Sequence, residues 1–141
     1  MRITTKGRYG LRAVIRLAQD DSGRPLAIRK IASQEELSSE FLEQIFFKLK
    51  KSGIIESTRG AGGGFKLSRN PEEITVLAIL EAVGEDINLS PCSGGGDFDC
   101  TREEGCPTAG IWKDGTNVIR DFFQNVTLAD AVKNCALEEE K

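Results

Sequence analysis

The sequence predicts a mainly α-helical fold with one small β-hairpin, arranged as a winged helix-turn-helix followed by a long C-terminal helix. Three observations predict this fold class. Two helical patterns are separated by a tight turn at Leu37-Ser38. Two short β patterns flank a glycine-rich stretch, 59–64. A broad apolar pattern with helical spacing then covers 108–126.

The first predicted helix covers residues 6–18 and carries a basic row. Arg8, Arg12 and Arg16 are four residues apart, so they lie on one face of that helix. The row is compatible with contacts to phosphates or with an ordinary solvated face, and it does not by itself decide between them.

The helix-turn-helix is formed by predicted helices at 28–34 and from Ser38 or Ser39 to about 52. In such a motif the second helix normally enters the major groove, with its N-terminal residues at the base edges. The third helix buries an apolar stripe of Phe41, Leu42, Ile45, Phe46 and Leu49. The polar residues outside this stripe suit base contacts because Gln pairs with adenine and Glu accepts from cytosine. Glu43 in particular should increase selectivity more than affinity, since an unmatched carboxylate near DNA costs binding.

The hairpin is predicted as strands 54–58 and 65–68 around the loop Arg59 to Gly64. A phosphate-binding nucleotide loop is the rival interpretation, but the GxxxxGK[ST] pattern is missing and no helix follows. A wing with an arginine that reaches a minor groove fits better. The predicted DNA-binding residues are Arg2, Lys6, Ser38, Ser39, Glu40, Glu43, Gln44, Lys48, Arg59, Gly60 and Lys66.

Charge divides the chain into two unlike halves. Residues 1–70 hold 14 Lys and Arg against 7 Asp and Glu, a balance of +7, whereas residues 71–141 hold 5 against 15, a balance of −10. This asymmetry indicates a polyanion-binding half joined to a half with another task. No apolar stretch approaches the ~18 residues of a membrane span, and residues 1–10 lack a signal-peptide core. We therefore expect a cytoplasmic protein without a membrane partner.

The helix over 108–126 has an apolar face too broad for the small body of one winged helix to cover. Its residues are Ile111, Trp112, Val118, Ile119, Phe122, Phe123 and Val126. We expect a homodimer through this helix, together with some packing onto the first helix. The predicted organisation is a DNA-binding domain at 1–83, a cysteine-bearing loop at 84–107, the dimerisation helix and a short helix at 108–137, and an acidic tail at 138–141.

Cys92, Cys100 and Cys106 crowd the acidic, glycine-rich loop with the spacing C-x7-C-x5-C. This spacing matches neither a zinc ribbon nor a thioredoxin motif. Three thiols in an exposed loop suit an iron–sulfur cluster or, less well, zinc. Cysteine usually prefers burial, so three exposed cysteines close together in the chain favour a ligand role. Scattered reduced cysteines are the alternative. Cys135 lies apart on a predicted helix, where we expect a small core residue.

These motifs together resemble the IscR/NsrR/CymR family of bacterial winged-helix regulators. The resemblance covers residues 1 to about 130 and rests on the opening Thr4-Thr5-Lys6-Gly7-Arg8-Tyr9-Gly10, the segment 41–44, the wing 59–65 and the three cysteines. It implies a homodimer on palindromic promoter DNA. The recognition helix and wing look closest to the IscR branch, in which three cysteines and a histidine hold a [2Fe-2S] cluster; the resemblance thus favours [2Fe-2S] over [4Fe-4S].

The chain departs from that pattern at the fourth ligand. Ala109 stands where the IscR branch has its histidine, Arg8 stands where the NsrR branch has an aspartate ligand, and the chain contains no histidine. The remaining candidates are small molecules, water or oxygen-bearing side chains, namely Asp97, Asp99, Glu103, Glu104 and Thr108. A weakly held fourth position would make a cluster labile and suited to sensing redox state, iron or nitric oxide.

An enzyme, a cluster carrier and a cluster-free repressor are the alternative functions. An enzyme using a cysteine nucleophile lacks a histidine base and any second chemical constellation. A cluster carrier would not need the basic first half. A cluster-free repressor of the CymR kind, controlled by thiol oxidation or a partner protein, is the principal alternative to a cluster-sensing regulator.

Overall fold

The computed structural model describes residues 1–94, 99–102 and 104–139, with side chains described as far as residue 136. Its helices and strands are α1 Thr5–Gln19, α2 Ile28–Glu35, α3 Ser39–Lys51, β1 Ile55–Thr58, β2 Gly64–Leu67, α4 Val76–Ala82, α5 Ala109–Asn125 and α6 Leu128–Glu139. The predicted fold class is confirmed, and the bounds of the first three helices, the two strands and α5 lie within two residues of the predicted ones. Helix α6 takes in Glu138 and Glu139, which the sequence assigned to a tail. None of the helices in the described ranges is long and apolar enough to cross a membrane.

The turn of the helix-turn-helix is closed by its backbone. Glu36 adopts a left-handed conformation with φ 55°, unusual for a residue other than glycine, and the Leu37 N–H donates to the Ala32 carbonyl at 2.9 Å. Ser38 then caps α3, its Oγ accepting from the Phe41 N–H at 3.2 Å. The turn therefore sets the angle at which α3 leaves α2.

The wing is an antiparallel pair, β1 with β2, in register from Ile55 opposite Leu67 to Thr58 opposite Gly64. It is tied to the segment before α2, where Leu26 and Phe65 exchange two backbone hydrogen bonds of 2.8 Å. A Cβ on Gly64 would lie 2.2 Å from the Leu26 carbonyl oxygen, so this close approach requires glycine. The wing and the helix-turn-helix thus form one packed body.

Two apolar clusters meet at α4. The larger joins the helix-turn-helix, the wing and both terminal helices around fully buried side chains that include Val14, Ile31, Leu42, Phe46, Ile79 and Leu128. The smaller lies between α4 and α5, where Val76, Leu77, Leu80 and Ile87 pack against Ile119, Phe123 and Val126. The sequence predicted packing of α5 onto the first helix, whereas α5 packs mainly on α4 and on the short 3₁₀ turn Pro91–Ser93, with Leu11 of α1 packed against the same smaller cluster.

The chain returns from α5 to the DNA-binding body at Thr127. Thr75 and Thr127 form a β-bridge, and the Leu128 N–H donates to the Ile74 carbonyl at 2.8 Å. Asp130 accepts from the Thr127 N–H at 3.0 Å and from its hydroxyl, and these hydrogen bonds lower the pKa of Asp130. These contacts fix the first turn of α6. They also fix residues 126–128, through which the C-terminal end of α5 is held beside α4.

A buried carboxylate joins the start of the cysteine-bearing loop to the start of α1. Glu85 is 8% exposed and accepts from the Thr4 N–H at 3.2 Å, the Gly7 N–H at 3.0 Å and the Thr4 hydroxyl. An anion at a helix N-terminus meets unpaired N–H groups and the positive end of the helix dipole. Gly7 makes this approach possible, since a Cβ there would lie 2.6 Å from Glu85 Oε1.

We expect Gly7→Ala to lower the free energy of unfolding by about 1–3 kcal/mol, because the added methyl must displace the Glu85 carboxylate from the end of α1. Urea unfolding followed by far-ultraviolet circular dichroism, at fixed protein concentration, measures the change. Gly110→Ala is the matched control: a Cβ at this helical position meets nothing within 4 Å, so stability should hold or rise. A Gly7→Ala protein as stable as the parent would contradict this account of the Glu85 contact.

Candidate nucleic-acid interface and cysteine segment

Helix α3 presents one continuous exposed face to solvent. Its members are spaced three or four residues apart, so they follow one another along that face. They are Glu40, Glu43, Gln44, Phe47 and Lys51, which line a shallow open groove together with Lys48. Two predicted base-reading side chains, Glu43 and Gln44, therefore lie side by side and open to a ligand.

Two other predicted residues of this region, Ser38 and Lys48, already have structural partners, and a third is partly withdrawn from solvent. The Ser38 oxygen accepts from the helix backbone as the cap of α3, and Ser39 is half-buried. Lys48 is half-buried, and its Nζ donates to the Val83 carbonyl at the end of α4, at 3.3 Å. Its ammonium group thus links α3 to α4 in addition to any contact with phosphate.

The N-terminal residues Arg2 and Lys6 are both exposed. Lys6 lines a small cavity with Gln44 and Lys48, so the start of α1 lies beside the exposed face of α3. Arg2 precedes Thr4, the residue that caps α1. The structure therefore brings Lys6 together with the predicted base-reading residues, and Arg2 lies ahead of the same helix.

At the wing, Arg59 and Gly60 are exposed in the loop between β1 and β2. Gly60 has a φ of 93°, as a tight loop requires. Lys66 stands opposite Glu56 in the strand pair, and its Nζ lies 3.2 Å from the Glu56 carboxylate. The wing therefore offers Arg59 at its tip, while the charge of Lys66 is partly matched within the wing.

The basic row of α1 has a role that neither sequence interpretation included. Arg12 and Arg16 both bind Glu35, at 2.8 and 2.9 Å, and that carboxylate is only 6% exposed. The Arg12 guanidinium also donates to the Glu35 carbonyl at 3.4 Å. The pair of arginines therefore holds the end of α2 against α1, while Arg8 stays exposed.

The predicted cluster ligands lie along one segment but are not gathered. Cys92 is exposed in a short 3₁₀ turn, with its Sγ 2.8 Å from the Ser90 Oγ. Cys100 and Cys106 are half-buried. Over the ranges 1–94, 99–102 and 104–139, no three or more His, Cys, Asp or Glu side chains come together as a metal site. A cluster held by these three cysteines stays a prediction.

The Cys106 thiol has a local environment that favours the thiolate. Its Sγ lies 3.4 Å from the Thr108 hydroxyl, and hydrogen bonds from the Thr108 side chain, the Thr108 backbone and the Ala109 backbone lower the pKa of Cys106. The thiolate is the form that binds metals and reacts with oxidants. Cys106 is thus chemically suited to either of the two sensing mechanisms considered from the sequence.

The fourth-ligand candidates divide by position. Asp99 and Glu104 are exposed within the cysteine segment, and Ala109 is the first residue of α5. Thr108 is exposed and contacts Cys106. The candidates Asp97 and Glu103 lie outside the described residues. Three thiols therefore fit the ligand set expected for a cluster, whereas the side chain at the histidine position has no donor atom.

The first arm of the cysteine segment is fastened to α5 through a buried hydroxyl. Thr116 is 1% exposed; its Oγ1 accepts from the Leu89 N–H and donates to the Ser93 Oγ, both at 3.1 Å. Leu89 also packs over Gly115, where a Cβ would lie 2.6 Å from its Cδ1. Cys92 is therefore adjacent to Ser93, which is anchored on α5, and two residues separate Cys106 from the first residue of the same helix.

The sequence interpretation missed two residues of this site. Phe47 is 69% exposed on the open face of α3, and Glu85 caps α1. A signal for Phe47 was present, because the helical period of the buried stripe at 41, 42, 45, 46 and 49 places residue 47 on the opposite side of the helix. Glu85 had none, since it is 78 residues from Gly7 in the chain. Cys135, expected in the core, is only half-buried on α6.

A helix-turn-helix with a polar exposed second helix, a glycine-rich wing beside it and cations around both defines the class of winged-helix DNA-binding proteins. Within that class the chain belongs to the Rrf2 family, described as iron-dependent transcriptional regulators, whose model matches residues 3–134. It is accordingly a transcriptional regulator and not an enzyme.

Individual relatives agree with this assignment. IscR of Pectobacterium atrosepticum is 36% identical over 134 residues, which cover 95% of this chain and 80% of that protein. The solved structure of T. potens IscR is 33% identical with a TM-score of 0.75, covering 96% of this chain and 88% of the other. CymR of B. subtilis, the global cysteine regulator, is 28% identical with a TM-score of 0.80, covering 95% and 98%.

We expect Glu43→Ala to broaden sequence preference with little loss of total DNA affinity, because removing an exposed carboxylate removes a penalty against bases that offer it no donor. Binding-site selection from a random duplex library measures the preference. Each relaxed position should lose about 1–3 kcal/mol of discrimination. Glu72→Ala, a change at an exposed carboxylate in the turn before α4, is the control. An unchanged selected motif would contradict a reading role for Glu43.

Proposed function

We propose that this regulator acts in the cytoplasm as a homodimer on palindromic promoter DNA and responds to an iron–sulfur cluster bound at Cys92, Cys100 and Cys106. The observation that supports it best is the placement of the cysteine segment. Its beginning caps α1 through Glu85, and its first arm is fastened to α5 through Thr116. One segment therefore contacts both the DNA-binding body and the long helix.

The donor chemistry supports a cluster. Three cysteines within fifteen residues supply thiolate ligands, and the lowered pKa of Cys106 favours the ionised form there. A bound cluster would connect the three cysteine sulfurs, and oxidants could break this connection by destroying the cluster. The fourth ligands of the IscR and NsrR branches are absent at Ala109 and Arg8, so an oxygen-bearing side chain, water or a small molecule would hold the fourth position weakly, which suits a labile sensor. We propose a [2Fe-2S] cluster over a [4Fe-4S] cluster, as the resemblance of the recognition helix and wing to the IscR branch implies.

The route from the segment to DNA runs through residues 83–85. Glu85 accepts hydrogen bonds from the first turn of α1, and the Val83 carbonyl accepts from Lys48 on the recognition helix at 3.3 Å. Ordering the segment from Cys92 to Cys106 would shift the balance between arrangements of these contacts. Such coupling is reciprocal, so specific DNA would also change the stability of the bound group.

The dimer is proposed from the outer face of α5. Ile111, Val118 and Phe122 are 61%, 69% and 64% exposed and recur at helical spacing, with Trp112 beside them at 40%. The opposite face of α5 already packs on α4 through Ile119 and Phe123. A two-fold interface between two such outer faces would bury these side chains and pair two recognition helices.

The test of cluster binding is the visible spectrum, with iron and sulfide content, of protein purified without oxygen. We expect absorption from a cluster in the parent and its loss in the Cys92→Ala, Cys100→Ala, Cys106→Ala triple variant. Cys135→Ala is the matched control, since this cysteine lies apart on α6, and it should keep the colour.

A colourless parent, even after reconstitution with iron and sulfide, would exclude the cluster and favour the second candidate function. That candidate is a cluster-free repressor controlled by thiol oxidation or a partner protein, as in the CymR branch. It is supported by the absence of a fourth ligand at Ala109 and Arg8, and by the dispersed cysteines of the described ranges. Operator affinity that falls on treatment with peroxide and returns with dithiothreitol would support it.

The dimer is tested by placing a charge on its proposed face. Phe122→Arg should raise the dimer dissociation constant by roughly a hundredfold or more, because it removes a buried ring and places a cation against its own symmetry mate. Sedimentation equilibrium measures this constant. Gln124→Arg, the same change at an exposed polar position of α5, should leave it unaltered. A parent that sediments as a monomer, or a Phe122→Arg variant that remains fully dimeric, would contradict this interface.

A further inference from the structure

Phe47 is exposed where an aromatic side chain is unexpected. It is 69% exposed on α3, although its neighbour Phe46 is fully buried and Phe41 is partly buried against the core. Single exposed hydrophobic side chains are common, but this ring lies on the helix that enters the major groove in helix-turn-helix proteins, where contact with DNA would cover it.

Along the exposed face of α3 the neighbours of Phe47 are polar, and on its other side the ring borders a groove that includes Ile28 and Phe65. Glu43 and Gln44 lie one turn earlier on the same face, and Lys51 lies one turn later. Phe47 is about 6 Å further along the helix axis than Glu43. A single ring among carboxylate, amide and ammonium groups suits a partner with a small apolar group set among hydrogen-bonding edges.

Thymine in the major groove has this chemistry. Its C5-methyl group is the apolar feature of the base-pair edges there, and it lies beside the O4 acceptor and the adenine N6 donor. We propose that Phe47 contacts the methyl group of a thymine and thereby makes α3 select thymine at one position of each half-site. This inference rests on the proposed binding of promoter DNA.

DNA fits this face better than a protein partner does. The other large hydrophobic side chains that are exposed in the described part of the chain are Met1 and four residues of α5. The groove on one side of Phe47 is completed by Glu40 and Lys48, and a second groove beside it combines Ile28 and Phe65 with Glu43 and Lys50, so charged side chains border the ring in both grooves. Lys50 and Lys51, both exposed, add positive charge at the end of α3, as a polyanion requires.

The test replaces single thymines with deoxyuridine, a change that removes only the methyl group. A duplex is first selected from a random library with the parent protein, and each thymine in it is then substituted in turn. We expect about a fourfold loss of affinity at one thymine of each half-site, the effect of one buried methyl group. In Phe47→Ala the same substitution should cost nothing, whereas Phe47→Leu should retain part of the response.

Lys51→Ala is the matched control on the same face of α3. It should weaken binding to all duplexes alike and reduce the salt dependence of binding, while the fourfold response to deoxyuridine persists. Circular dichroism of each variant checks that the fold is retained. A cycle that combines Phe47→Ala with the thymine-to-deoxyuridine change then gives the interaction free energy between Phe47 and that methyl group.

The outcomes separate this inference from the proposed function. A library that yields no enriched sequence would overturn both. An enriched duplex whose affinity is indifferent to every thymine methyl, or equal deoxyuridine losses in the parent and in Phe47→Ala, would overturn the inference alone. An unchanged DNA affinity of Phe47→Ala would likewise overturn it, because the ring would then make no energetic contact with DNA.

Discussion

Glu85 accepts backbone hydrogen bonds at the N-terminus of α1, and the arrangement of the molecule depends on this contact. The carboxylate is nearly buried, and it replaces water at N–H groups that a helix cannot satisfy by itself. Because Glu85 follows α4 directly, the same contact fixes where the cysteine segment leaves the body. Removing it would free the start of α1, including the exposed Lys6 beside the recognition helix.

Charged side chains in this protein serve packing as much as binding. Glu35 draws Arg12 and Arg16 together, Lys48 closes the end of α4, and Lys66 lies against Glu56. Pairs at the surface contribute little to stability, but Glu35 is nearly buried, and its two partners offset the cost of removing its charge from water. A count of basic residues therefore overstates the charge available to DNA.

Local patterns in the sequence predicted most of the fold. The stripe of α3, the cap at Ser38 and the glycines of the wing are determined by neighbours in the chain, so periodicity and turn chemistry could find them. The contacts of Glu85, Glu35 and Thr116 join residues 19 to 81 positions apart, and no local pattern encodes them. The candidate site divides in the same way. The exposed face of α3 follows from its helical period, whereas no local pattern determines whether Cys92, Cys100 and Cys106 come together.

The two hydrogen bonds between Leu26 and Phe65 make the wing continuous with the helix-turn-helix. An isolated two-stranded hairpin is marginal in water, and this bridge supplies it with a third chain segment. The bridge consequently restrains the base of the wing relative to the helix-turn-helix. An operator contacted by both elements would then have to present its two contact regions at a nearly fixed separation, so that recognition would depend on a length along the duplex as well as on a sequence.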